Sequence, residues 1–256
     1  MPLVRPAPRP PVVRRPARPR SLGRTLRRAA PRAVVLVALA VAAAVLVPRW
    51  TGTGDAVRYV VPAAEVVAAR SALAGLPVRG RAPMTGYDRS LFGEAWADVD
   101  HNGCDTRNDV LARDLTGIET DPDTASCLVL SGTLTDPYSG RVVSFERGED
   151  SADVQIDHVV ALADAWQKGA QQWTAGRREE FANDPANLLA VDGQVNQDKG
   201  AGDAATWLPP SRGYRCAYAI RQVLVKAEYG LWVTQAEHDA LARWLGRCTA
   251  AQEGSG

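Results

Sequence analysis

The segment Val154-Gln155-Ile156-Asp157-His158 sets a carboxylate beside an imidazole, and Asn187, Asn196 and Lys199 follow downstream. These residue types suit the hydrolysis of a phosphodiester. A water must lose a proton, charge on the phosphate must be neutralised, and the leaving oxygen must be stabilised. A neutral His near pH 7 can do the first, and a divalent cation the other two. Oxygen ligands from Asp and Asn suit a hard cation such as Mg²⁺, which keeps several of its waters. Lys199 lies three residues beyond Asn196, on the same face of any helix that carries both.

Such a set works only if the chain brings it together. Adjacent strand residues point to opposite faces, so Asp157 and His158 reach one site only if their strand ends or bends there. The helical pattern that begins soon after His158 predicts that it does. Leu162, Trp166, Ala170 and Trp173 recur at roughly 3.6 spacing within 160–182, and Asn183-Asp184-Pro185 stops that helix. Residues 187–191 read as a short strand starting at Asn187. Asp192-Gly193 turns it, and a helix then carries Asn196 to Ala205. Upstream, 127–134 and 141–147 read as two strands joined by the turn Asp136-Pro137-Tyr138-Ser139-Gly140. After Trp207-Leu208-Pro209-Pro210, helices at 216–229 and 235–248 form a hairpin about Gly230, with Thr234 and Glu237 as a capping box. The class is α+β, without internal repeats.

Cys104, Cys127, Cys216 and Cys248 are too widely spaced for a zinc ribbon, since no two form a C-x₂-C pair. Antiparallel helices bring Cys216 beside Cys248, which leaves Cys104 for Cys127. A second polar cluster runs from Asp98 to Asp109. Asp98, Asp100, Asn102, Gly103 and Asp109 fall on positions of a calcium loop, though the last is Asp rather than Glu. The competing readings of this stretch are an Asx-rich loop stapled by Cys104 and a site at which Arg107 binds phosphate, since Arg suits bidentate phosphate contact. His101 and His238 read as bland surface residues. The tryptophans, Trp96 among them, read as packing residues, with base stacking by one of them left open.

The order of strand with Asp-His, inserted helix, strand starting at Asn, and helix carrying Asn and Lys resembles the ββα-metal motif of HNH (His-Me finger) endonucleases. The residues that carry it are Asp157-His158, Asn187 and Asn196-Gln197-Asp198-Lys199-Gly200. The wider text is similar to the C-terminal nuclease domain of GmrSD-type restriction enzymes, in an exported stand-alone form. It includes Asp153 to Leu162, Asp184-Pro185-Ala186-Asn187-Leu188, and Gly103 to Asn108 around Arg107. The resemblance implies a ββα core embedded in helices. It implies His158 as general base, Asp157 and Asn196 as ligands of Mg²⁺ or Mn²⁺, and Asn187 as the brace of the loop that orients His158. Lys199 and Arg107 would contact phosphate. The substrate would be nucleic acid, with DNA and low sequence specificity expected. Asn196 stands where many such motifs have His.

The charge is unevenly placed. Of 30 Lys and Arg, ten Arg lie in residues 1–32, which hold no Asp or Glu; the remainder carries 20 basic and 29 acidic residues. An acidic body needs a local basic patch or a bound cation to meet phosphate. Residues 33–47 are wholly apolar and short for a bilayer span. They read as a signal h-region or an uncleaved membrane anchor, and both place the body outside the cytoplasm. The expected organisation is a 1–32 Arg/Pro tail, a 33–48 signal or anchor, a 49–86 linker with a short helix, and an 87–250 catalytic domain. The alternative is a non-catalytic exported module stabilised by calcium. No G-x-S-x-G or H-E-x-x-H motif supports a peptidase.

Overall fold

The computed structural model describes residues 59–248; the expectations for the Arg/Pro tail and for the apolar run at 33–47 lie outside the described residues. Among the described residues no helix is long and apolar enough to cross a membrane. Helix α1 (Ala63–Gly75) buries Val66, Ala69 and Leu73, a three-then-four spacing that lays one stripe on the C-terminal hairpin. Arg70 donates to the Leu245 carbonyl at 2.7 Å, and Val78 pairs with Val233. The folded body therefore starts well before Tyr87, and residues 61–86 are not a linker. Alanine-rich composition hides the stripe, because small residues can bury a face without marking it strongly.

A single 3₁₀ turn at Arg89–Phe92 follows, begun by Asp88, whose carboxylate accepts from the Ser90 amide at 2.8 Å. Helix α2 (Thr106–Asp114) occupies part of the stretch read as a loop. Asp105 caps it by accepting from the Asn108 amide, and Val110 and Leu111 are its buried apolar side chains. Two buried apolar residues among many polar ones leave too weak a period to read.

Strands β1 (Thr116–Thr120), β2 (Val129–Thr135) and β3 (Val142–Glu146) form an antiparallel sheet in that order. The expected turn joins β2 to β3: Asp136 accepts from the Tyr138 and Ser139 amides, and Gly140 supplies φ 76°. β1 was not legible, since its burial shows no alternation.

Strands β4 (Val154–His158) and β5 (Leu188–Asp192) pair antiparallel, from Val154 opposite Asp192 to His158 opposite Leu188. The chain between them is two helices, α3 (Leu162–Gln167) and α4 (Ala175–Asn183), rather than one. Gly169, at φ 132°, breaks the run, and Thr174 caps the second piece. Asp192 does not make a separate turn. Its carboxylate accepts from the Gln194 and Val195 amides and starts α5 (Gly193–Lys199) straight from the strand. Gly193 is required there, because a Cβ would lie 2.1 Å from the Ala152 carbonyl oxygen. Helices α6 (Arg215–Glu228) and α7 (Gln235–Arg247) complete the fold. The disulfides are Cys104–Cys127 and Cys216–Cys248. The architecture is α+β, with a β4–β5–α5 unit set among helices.

Six charges lie behind that unit. The Lys168 ammonium meets Asp164 at 2.6 Å, Asp203 at 2.9 Å and Glu237 at 2.6 Å. Lys226 meets Asp164 at 2.7 Å and Glu237 at 2.9 Å, and Arg81 closes the group on Asp164 and Asp203. Three cations thus balance three carboxylates, and all but Arg81 are fully buried. Glu237 corrects the capping box. Thr234 accepts from its amide at 3.2 Å, but its side chain turns inward to the two lysines.

Candidate functional site

β4 is extended through His158, and alternation sends its side chains both ways. Val154 and Ile156 enter the core with Leu188 and Ala190. His158 leaves on that same face, and Gln155 and Asp157 on the opposite one. Both residues nevertheless border one cleft of about 260 Å³ across the end of the strand, together with Asn196, Tyr87 and Arg89.

His158 is 7 % exposed. Its Nε2 lies 2.8 Å from the Ala182 carbonyl oxygen at the end of α4, and the ring stacks near-parallel with Trp96 at 18°, centroids 6.3 Å apart. A carbonyl only accepts, so Nε2 carries the hydrogen and Nδ1 holds the lone pair. Burial pushes the imidazole pKa down to about 3, with Arg89 and Lys199 adding to the effect. His158 is therefore neutral at pH 7.

Asp157 is buried between two donors. Lys199 Nζ lies 2.8 Å from Oδ1, and the Tyr138 hydroxyl donates to Oδ2 at 2.6 Å. Burial pushes its carboxyl up from the usual range, against Lys199 and Tyr138, which hold it down. Lys199 also donates to the His158 carbonyl oxygen at 2.8 Å, so one ammonium fixes both residues of the pair. Its side chain is wholly buried, and in this structure it faces Asp157 rather than open cleft. On α5, Asn196 gives Nδ2 to Gln155 Oε1 at 3.0 Å, which leaves Oδ1 free as an oxygen donor.

Asn187 is wholly buried. Its side-chain oxygen accepts from the Val160 amide at 2.8 Å, its Nδ2 donates to the Val160 carbonyl at 3.3 Å, and its own carbonyl accepts from Val159 at 2.7 Å. Three bonds thus hold the two residues after His158. The Asn187 loop is itself clamped by Arg113 and Arg221, both of which donate to the carbonyls of Pro185 and Leu188. Sequence reasoning missed these two arginines, which differ in no visible way from other helical Arg. Asn187→Ala will strand the buried Val160 amide and lower stability by about 1–3 kcal/mol in urea unfolding; an unchanged midpoint would mean that water replaces the amide.

Arg107 does not join the set. Its guanidinium lies 3.5 Å from the Ser151 carbonyl oxygen and 3.4 Å from that of Val154, at the start of β4 and away from His158. Burial lowers its pKa. The cation that does border the cleft is Arg89, which is exposed and has no ion-pair partner among the described residues. Its signal in the sequence was only proximity to Tyr87, near the expected domain start.

The Asp98–Asp109 loop is closed by its own hydrogen bonds. Asp98 accepts from the Asn102 and Gly103 amides, Asp100 accepts from Asn102, and Asn102 Oδ1 accepts from Cys104. The oxygens close on the loop's own donors, an Asx-rich turn. Among the described residues no group of three or more His, Cys, Asp or Glu could hold a metal ion. A cation in the His158 cleft would have the Asp157 carboxylate and the Asn196 amide oxygen as protein ligands. Each Asp157 oxygen retains a lone pair after one hydrogen bond. Two hard donors with water filling the remaining positions fit Mg²⁺.

Residues 105–244 match the family described as GmrSD restriction endonucleases, C-terminal domain. A protein of Arthroderma benhamiae, named "Uncharacterized secreted protein", is 41 % identical over 182 residues, covering 70 % of this chain and 84 % of its own length. No solved structure matches the chain. The family match spans more than half of the sequence and includes Asp157, His158, Asn187, Asn196 and Lys199, and the chain belongs to the GmrSD restriction endonuclease C-terminal domain family.

Proposed function

We propose that this protein is an exported, metal-dependent endonuclease that hydrolyses nucleic-acid phosphodiesters, with His158 as the general base. The observation that carries the reading is the one His158 nitrogen left with its lone pair, in a cleft shared with Asp157 and Asn196. Nδ1 takes the proton from the attacking water while Nε2–H stays on the Ala182 carbonyl, which fixes tautomer and ring orientation. Asn187 holds the Val159–Val160 backbone and so keeps the imidazole aimed at the cleft. Lys199 pins Asp157 and the His158 carbonyl, which makes it a positioning residue here rather than a phosphate ligand. Asp157 and Asn196 would hold a divalent cation, Mg²⁺ or Mn²⁺, and that ion when bound neutralises the phosphate and stabilises the leaving oxygen. Arg89, not Arg107, takes the phosphate contact at the cleft mouth.

The two disulfides and the secreted relative support an extracytoplasmic location. Plasmid DNA and RNA, each incubated with the oxidised full chain in Mg²⁺, Mn²⁺ or EDTA, test the reading. Cleavage that EDTA abolishes is the expected result. Intact DNA and RNA in every metal, from a protein shown to be folded, would refute it.

A further inference from the structure

Behind His158 lies a second cavity, of about 230 Å³, that shares Arg89, His158 and Leu162 with the catalytic cleft. Its walls include Phe92, Trp96 and Ala182, so it is largely apolar. Two features mark it as built for a ligand. Trp96 has φ 66°, a left-handed conformation that is a genuine outlier for a bulky side chain. It is held there by its carbonyl, which accepts from the Thr106 amide at 3.3 Å, and by Thr106 Oγ1, which donates to Ala97. The second feature is Asn183, 1 % exposed, in the same wall. Its Nδ2 donates to the carbonyls of Glu94 at 3.2 Å and Glu179 at 3.0 Å, which fixes the amide orientation. Its Oδ1 accepts no hydrogen bond among the described residues and is left to the pocket. A strained aromatic wall, an unpaired amide oxygen and an unpaired cation at the mouth converge on one space beside the His158 ring.

We propose that this pocket takes the nucleobase adjoining the scissile phosphate, its ring against the Trp96 indole, an N–H of its edge on Asn183 Oδ1, and its phosphate on Arg89. The inference rests on the nuclease reading and names its substrate class. A base stacked in a duplex has its Watson–Crick N–H groups already paired and its faces covered. A pocket that takes one base face and one base N–H therefore selects an unpaired or extruded nucleotide. Every base offers a face and an N–H, so the pocket selects for single-strandedness more than for identity.

Binding and cutting are read separately. In EDTA, fluorescence anisotropy of the full chain with a labelled single strand should give about tenfold tighter binding than with the same strand carrying abasic sugars throughout. Trp96→Ala should remove that preference and Trp96→Phe restore most of it. Arg89→Ala should weaken both strands alike and reduce the slope of log affinity against log salt by roughly 0.7. In Mg²⁺, a strand with one abasic site should be spared at the adjoining linkage and cut elsewhere. Equal binding of intact and abasic strands, or a Trp96→Ala protein that keeps the preference, overturns the proposal. Cutting that ignores the abasic site removes the pocket and leaves the nuclease. Base-dependent binding without any cutting supports the pocket and removes the nuclease.

Discussion

Lys168→Met will lower stability by about 3–5 kcal/mol, enough to unfold a marginal domain. The methionine keeps the length and apolar stem of the side chain, so packing is largely preserved and the loss is electrostatic. Removing this ammonium leaves Asp203 with only the partly exposed Arg81, and Asp164 and Glu237 with fewer partners, all inside the protein. The net charge of the buried group goes from balanced to minus one. An uncompensated buried charge is costly, whereas replacing whole pairs by apolar residues is often close to neutral. The double variant Lys168→Met/Asp203→Leu should therefore recover part of the loss. Urea unfolding measures both, and a single variant within 1 kcal/mol of the native protein would show that water or repacking relieves the charge. Because the six residues come from the Arg81 segment, α3 and its C-cap Lys168, the turn after α5, α6 and α7, the variant should also loosen the helix that follows His158.

Acidification should cost several kcal/mol through His158 alone. Burial holds its folded pKa at about 3, against about 6.5 in an unfolded chain. Between those values the unfolded state binds a proton that the folded state refuses, so stability falls as pH drops from 6.5 towards 3. Each unit of separation is worth about 1.4 kcal/mol. Asp164 contributes in a different window. Burial raises its carboxyl, but Lys226 and Lys168 outweigh burial and hold it at about 2, so its share is lost only below the ordinary carboxylate range. A His158→Gln variant should flatten the stability profile between pH 6.5 and 4 and leave the lower limb in place. A variant as steep as the native protein in the upper window would mean that His158 is not buried in the neutral form.

Much of this was legible because period and punctuation agree. The hairpin α6–α7, the β2–β3 turn and the two disulfides follow from apolar spacing, Gly230 and an Asx turn. β4, β5 and α5 could be ordered from Asp157-His158, Asn187 and Asn196 because an HNH-like text demands that order. What the sequence hid is contact across distance. No local pattern says that Lys199 turns back to Asp157, that Glu237 leaves its cap for two lysines, or that Arg89 borders the cleft while Arg107 caps carbonyls at the far end of β4. Helix 160–182 was over-extended because Gly169 is one residue in a good period, and only its positive φ makes it a break. Residues 61–75 were correctly read as a helix and wrongly set outside the body, since alanine stripes carry little hydrophobic signal.

If Nδ1 of His158 takes the proton from water, replacing the ring must slow the chemical step and spare binding. Initial rates of plasmid nicking in Mg²⁺, compared between the native full chain and His158→Gln with equal far-UV spectra and equal DNA affinity in EDTA, test it most directly. The expected result is a fall in kcat of about 10²–10⁴-fold with little change in KM. A variant that nicks DNA within a few-fold of the native rate would show that the proton goes elsewhere and would contradict the assignment.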